Sequence, residues 1–222
     1  MTSNDQTTAE PPASLRIGVM VSGRGVALSM TLRACRSLPG IGSVVAVAAN
    51  RECRALDVAR EAEIPKVGLF DLHDYRSQFQ RDLAISDFMK NAAVNFVFTA
   101  GYSETVDSVL LDSYPDRVMS IYPSLLPAYA TEVDTLGAPL RDGVKLIGVS
   151  FHLRQALSGA GGPILAQRAI SVDFDDTIQS LDPKIAEVED EMLPGILLAF
   201  AERRVTVTDG RVRISPPVNV SE

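Results

Sequence analysis

Leu15-Arg-Ile-Gly-Val-Met-Val-Ser22-Gly23-Arg24-Gly25-Val26 decides how the rest of the chain is read. The run from Leu15 is apolar and rich in β-forming residues, and it stops in Gly23-Arg24-Gly25. From Val26 to Leu38 the residues Leu28, Leu32 and Cys35 recur at helical spacing, and Pro39-Gly40 ends the element. A buried strand that hands over to a helix through glycines is the opening unit of an α/β sheet protein. The same alternation continues downstream. Val44–Ala49 reads as a strand, Glu52–Glu63 as a helix ending before Pro65, Val67–Phe70 as a strand, Tyr75–Asn91 as a long amphipathic helix and Asn95–Thr99 as a strand. Met119–Ile121 is a further strand.

The spacing predicts one doubly wound, mostly parallel, Rossmann-like sheet with right-handed crossovers, within a single α/β domain. Residues 144–152 and 164–172 extend it as strands of a second half. Ile178–Arg203 reads as helix broken at Pro183 and Pro194, and Val205–Ile214 as a hairpin turning at Asp209-Gly210. The expected organisation is a solvated tail over 1–14, a domain over 15–203, and a hairpin with a tail over 204–222. Hydrophobic residues make up 46% of the 222, enough for a sizeable core. A net charge of -7 without basic runs argues against nucleic acid as a partner. Cys35 and Cys53 have no metal-type spacing, so no metal is expected, and no apolar run reaches membrane length. A soluble cytoplasmic protein is the expectation.

Two segments carry chemistry. Ser22-Gly23-Arg24-Gly25 sits at a strand–helix junction, where glycines let the backbone approach an anion and the first helical amides present partial positive charge. A plain tight turn would look the same in roughly half of such cases. The second segment is Ser120-Ile-Tyr122-Pro123-Ser124-Leu125-Leu126-Pro127-Ala-Tyr129, at the end of a strand. Read alone, it is a strand running into a proline-rich turn, with one hydroxyl and one phenol at its polar positions.

This second segment closely resembles the active-site segment of the folate-dependent formyltransferases, which reads Asn-x-His-Pro-Ser-Leu-Leu-Pro. The similarity covers about residues 15–200 and includes Gly161-Gly162-Pro163-Ile164-Leu165-Ala166-Gln167 and Asp176-Thr177. It implies the formyltransferase fold, a small phosphorylated ligand, and 10-formyltetrahydrofolate as donor; a homodimer is compatible with it. The family's Asn and His positions fall on Ser120 and Tyr122, its catalytic Asp on Ala160, and a further histidine on His152. The phosphate loop, Ser-Gly-x-Gly-Ser-Asn in the family, keeps Ser22, Gly23 and Gly25, with Arg24 added. Arg76 matches a phosphate arginine and Glu189 a ribose-contacting glutamate. Without the family, Arg76 is a solvated helix arginine and Glu189 one member of the acidic run Glu187–Glu191.

Formyl transfer to an amine passes through a tetrahedral oxyanion and needs aimed donors and a proton carrier. Ser120 offers one hydroxyl donor, Tyr122 a neutral phenol, and Ala160 nothing. The family's Ala-Gly-Phe-Met-Arg becomes Ala100-Gly101-Tyr102-Ser103-Glu104, an exchange of arginine for acid that is expected to disfavour a polyanionic folate. Three readings follow, and intact substrate-side residues beside a changed catalytic trio favour the first two, with little formylation of glycinamide ribonucleotide expected. One is a divergent family member repurposed for transfer to another amine, with Ser120, Tyr122 and His152 as its polar groups. Another is a silent relative that binds a metabolite or a partner protein. The third is a formyltransferase of purine biosynthesis whose missing groups come from elsewhere.

Overall fold

The computed structural model describes residues 14–38, 40–99, 101–132, 134–155 and 162–217. Ala160, Gly161, most of the loop from Arg154 to Ala160, and residues 1–13 of the N-terminal tail lie outside the described residues.

The opening strand β1 (Leu15–Val21) is buried on both faces except at Arg16, as a central parallel strand must be. Ile17, Val19 and Val21 join the core under α1 (Val26–Ser37), whereas Met20 joins the core on the other side. The chain continues through β2 (Gly42–Ala49), α2 (Arg54–Glu61) and β3 (Lys66–Leu69). A single 3-10 turn at Leu72–Asp74 precedes α3 (Gln78–Asn91), so the helix starts three residues later than its periodicity suggests. The reason is local: Asp71 accepts from the His73 amide and Ser77 from the Gln80 amide, and the second of these caps the helix start.

Then come β4 (Phe96–Phe98), α4 (Ser108–Ser113), β5 (Val118–Tyr122), α5 (Gly137–Arg141), β6 (Leu146–Leu153), β7 (Ile164–Ser171) and α6 (Ile178–Ala201). A hairpin of β8 (Val205–Thr208) and β9 (Arg211–Ile214) follows, with Asp209 and Gly210 both at positive φ, as its Asp-Gly turn requires.

Seven strands form one sheet in the order β3-β2-β1-β4-β5-β6-β7. The first five are parallel, while β6 and β7 add antiparallel pairs. One face packs against α1, α2 and α6, the other against α3 and α4. Helix α6 corrects the expected break: it runs unbroken through Pro183 and Pro194. Each proline forfeits one intrahelical donor, but Leu181 and Ile185 are buried on either side of the first, and Met192, Leu193, Ile196, Leu197 and Phe200 around the second. That packing, with a capping box at Thr177 and Ser180, outweighs the two lost bonds.

From β1 the chain winds outward to β3 and then returns to place β4 on the other side of β1. The strand order therefore reverses between β1 and β4. In open α/β sheets, ligands bind beyond the strand ends at such a reversal.

Candidate functional site

At that reversal lies a cleft of about 350 Å³. Its walls are the turn Ser22–Ala27, Gly101 after β4, Ile121 and Pro123 around the end of β5, and Glu189 from α6. A second cleft of about 450 Å³ adjoins it, sharing Arg24, Val26, Pro123 and Glu189 and adding Thr135, Leu136 and Ile185.

The turn is shaped for an approaching anion. Gly25 has φ 83°, and a Cβ there would sit 3.0 Å from the Ala55 Cα, so glycine is required. Helix α1 begins without a side-chain cap, leaving its first amides free of side-chain acceptors. A Cβ on Gly23 would meet nothing within 4 Å, so the backbone there is open to a ligand. Arg24 is exposed and lines both clefts. The Ser22 hydroxyl accepts from the Ser103 amide at 2.8 Å and keeps its own proton for a ligand.

Facing the turn, Glu189 is held largely out of solvent. Burial, reinforced by the neighbouring Asp190 and Asp182 carboxylates, pushes its pKa up to about 7. Arg33 of α1 grips Asp190 with both contacts at 2.7 Å, fastening this part of α6 above the turn. Arg76, expected at the same pocket, stands exposed just before α3 and is not among the residues that line either cleft.

The other sequence-predicted groups meet on β5 and β6. Ser120 and His152 are cross-strand partners in register, 7% and 4% exposed. The Ser120 hydroxyl points at the Thr99 carbonyl at 3.4 Å, a long contact that leaves it available to another acceptor. His152 Nδ1 lies 3.2 Å from the Leu153 carbonyl, which fixes the proton on Nδ1 and leaves Nε2 as the acceptor. Burial, with a smaller push from Arg154, lowers the His152 pKa, so the ring is neutral at neutral pH. Tyr122 directs its hydroxyl away from these two, toward the carbonyls of Tyr129, Ala130 and Glu132. Burial and the Glu132 charge raise its pKa above that of a free phenol.

Glu104, the acid that stands where the family has arginine, is engaged in a network. One carboxylate oxygen pairs with Arg81 Nη1 and the other accepts from Asn50 Nδ2 at 2.6 Å. Arg81 is fully buried and also donates to Asp82 at 2.8 Å, while Asp82 accepts from the Asp107 amide. The acid is paired where it stands, and it fastens the loop after β4. Arg81, Ile85 and Met89 follow one another every four residues on the inward stripe of α3, and all are buried. A charged residue on that stripe demands a buried partner.

Among the described residues no group of three or more His, Cys, Asp or Glu side chains is placed to hold a metal ion. Among the same residues no helix is long and apolar enough to cross a membrane.

Residues 15–197 match the family model described as formyl transferase. Phosphoribosylglycinamide formyltransferase of Mycobacterium tuberculosis is 33% identical over 201 residues, covering 89% of this chain and 90% of that protein. Glycinamide ribonucleotide transformylase 1 from Symbiobacterium toebii superposes with a TM-score of 0.84 at 33% identity, covering 90% of this chain and 94% of that one. A formyltetrahydrofolate deformylase from Pseudomonas syringae superposes with a TM-score of 0.78 at 25% identity, covering 91% of this chain and 67% of that one. The chain belongs to the formyl transferase family.

Proposed function

We propose that this member of the formyl transferase family binds a phosphoribosyl amine in the cleft and transfers a formyl group to it, with phosphoribosylglycinamide as acceptor and 10-formyltetrahydrofolate as donor. The observation that carries this reading is the single cleft in which the uncapped turn Ser22–Gly25 faces Glu189 across Ile121 and Pro123. The turn offers amides and the Arg24 cation to a phosphate, and Glu189 offers acceptors to ribose hydroxyls. The names of the relatives support the purine-biosynthetic reading over one that is repurposed.

In this reading the acceptor amine attacks the formyl carbon, its oxygen becomes an oxyanion, and the tetrahedral centre collapses with release of the folate nitrogen. Ser120 supplies one hydroxyl donor to the developing charge. His152 Nε2 takes the proton from the attacking amine and returns it to the leaving nitrogen. Ala160 adds nothing to this transfer. Loss of a fixed amide donor costs about 10²–10³ in rate, so turnover on the order of 10⁻²–10⁻¹ s⁻¹ follows from a median near 10 s⁻¹.

The relevant assay is incubation with both compounds, followed by mass spectrometry for the formylated product. Product formed in proportion to enzyme supports transfer, and its absence at saturating ligand refutes it. A second reading, ligand binding without transfer, is favoured by Ala160 and by the Tyr122 hydroxyl being turned away from Ser120 and His152. A ligand-dependent rise in melting temperature without product identifies that case.

A further inference from the structure

We infer that Tyr122 is a positioning residue: its hydroxyl fastens the 129–132 loop and so fixes the wall of the substrate cleft that this loop leads into. The phenol oxygen lies 2.9 Å from the Glu132 carbonyl, 3.2 Å from that of Tyr129 and 3.3 Å from that of Ala130. One hydroxyl has one proton, so it bonds the nearest carbonyl while the other two remain close enough to exchange with it. Three carbonyls from residues 129, 130 and 132 converge on one donor and draw the loop to the end of β5.

Further contacts hold the same segment. Ser124 donates to the Ala128 carbonyl, and the Tyr129 hydroxyl donates to Asp142 at 2.8 Å. Asp134 receives the Gly137 amide at 2.8 Å and Arg141 at 2.7 Å. Tyr129 itself adopts φ 57°, a conformation that a β-carbon disfavours and that the surrounding bonds must maintain.

The wall matters because the chain passes from this loop into Thr135 and Leu136, which line the second cleft opposite Arg24 and Glu189. The arrangement also explains how a phenol occupies a strand end next to Ser120 and His152 without acting on the reacting atoms. Its only proton is committed to the loop, away from the Ser120–His152 pair. The removal of that proton would leave a phenolate facing carbonyl oxygens, so the group serves as a fixed donor.

Tyr122→Phe keeps the ring and removes only the donor. In the ligand-free protein, amide hydrogen exchange over residues 129–136 should accelerate about 2–10-fold, the change expected from one ordinary hydrogen bond. This part is independent of the proposed reaction. The affinity part rests on it: KM for phosphoribosylglycinamide should rise by a similar factor while kcat changes less than about 2-fold. Unchanged exchange overturns the fastening. Faster exchange with unchanged KM overturns the link to the cleft. A fall in kcat of about 10² or more at constant KM would instead place the phenol on the reacting atoms. If the wild type shows no turnover, the proposed reaction fails, and exchange in the free protein still decides the fastening.

Discussion

Replacing Glu189 by glutamine should flatten the pH dependence of stability. Each pH unit of displacement between folded and unfolded pKa is worth about 1.4 kcal/mol. Glu189 rises from 4.5 to about 7, so the folded state carries a penalty of about 3 kcal/mol once the group is ionised. The sign follows from proton binding: between those values the folded protein holds a proton that the unfolded chain has released. Stability from this group is therefore full below pH 4.5, falls as pH rises, and is lost above about 7. His152 works in the opposite direction, since its lowered pKa gives stability that is lost as pH falls. Asp176, held near 2 by bonds from Ser180, the Asp173 amide and Lys184, acts only at lower pH.

The difference between Glu189→Gln and wild type isolates the glutamate. Urea unfolding at a series of pH values should give near-equal stabilities at pH 4.5, with the variant about 3 kcal/mol more stable at pH 8. For a chain of this size, the matching melting shift is on the order of 5–10 °C. Parallel curves for the two proteins across this range would refute the placement of Glu189 in a desolvated, acidic wall.

Arg81→Ala should destabilise by about 3–5 kcal/mol, because it leaves the Asp82 and Glu104 carboxylates without their buried cation; chemical denaturation measures this. His152→Gln should lower single-turnover formyl transfer by about 10²–10⁴ with little change in substrate affinity. A smaller effect in rapid-quench experiments would remove the imidazole from the proton path.

The sheet was legible because parallel strands buried on both faces leave short apolar runs, and the helices between them announce themselves by period. Val26–Ser37 begins where the glycine turn places it and ends within a residue of the expected boundary. The short helices α4 and α5 have too few turns to show a period, and the unbroken course of α6 depends on tertiary packing that prolines conceal. Within the site, Gly23, Gly25 and Glu189 line one cleft, whereas Arg76 stands outside it. Direction was not readable. Tyr122 and Ser120 share a strand face, yet one turns to a distant loop and the other to the Thr99 carbonyl. Glu104 shows the same limit, since its charge could be read but its pairing with Arg81 required α3 to be docked. The relatives favour the purine-biosynthetic reading over the repurposed one, a choice that turns on whole-chain similarity more than on the altered positions.

The central claim is that the Ser22–Gly25 turn receives the phosphate of a phosphoribosyl amine. Calorimetric titration with phosphoribosylglycinamide, comparing wild type with Gly23→Asp, tests it directly. The open space around Gly23 leaves room for the aspartate side chain, which adds a negative charge to the turn. Like-charge opposition costs several kcal/mol. The wild type should bind with Kd between about 1 µM and 1 mM, the range of enzyme–substrate KM values, and Gly23→Asp should bind at least about 100-fold more weakly. Equal binding by both proteins, or no binding heat from the folded wild type, would contradict the account.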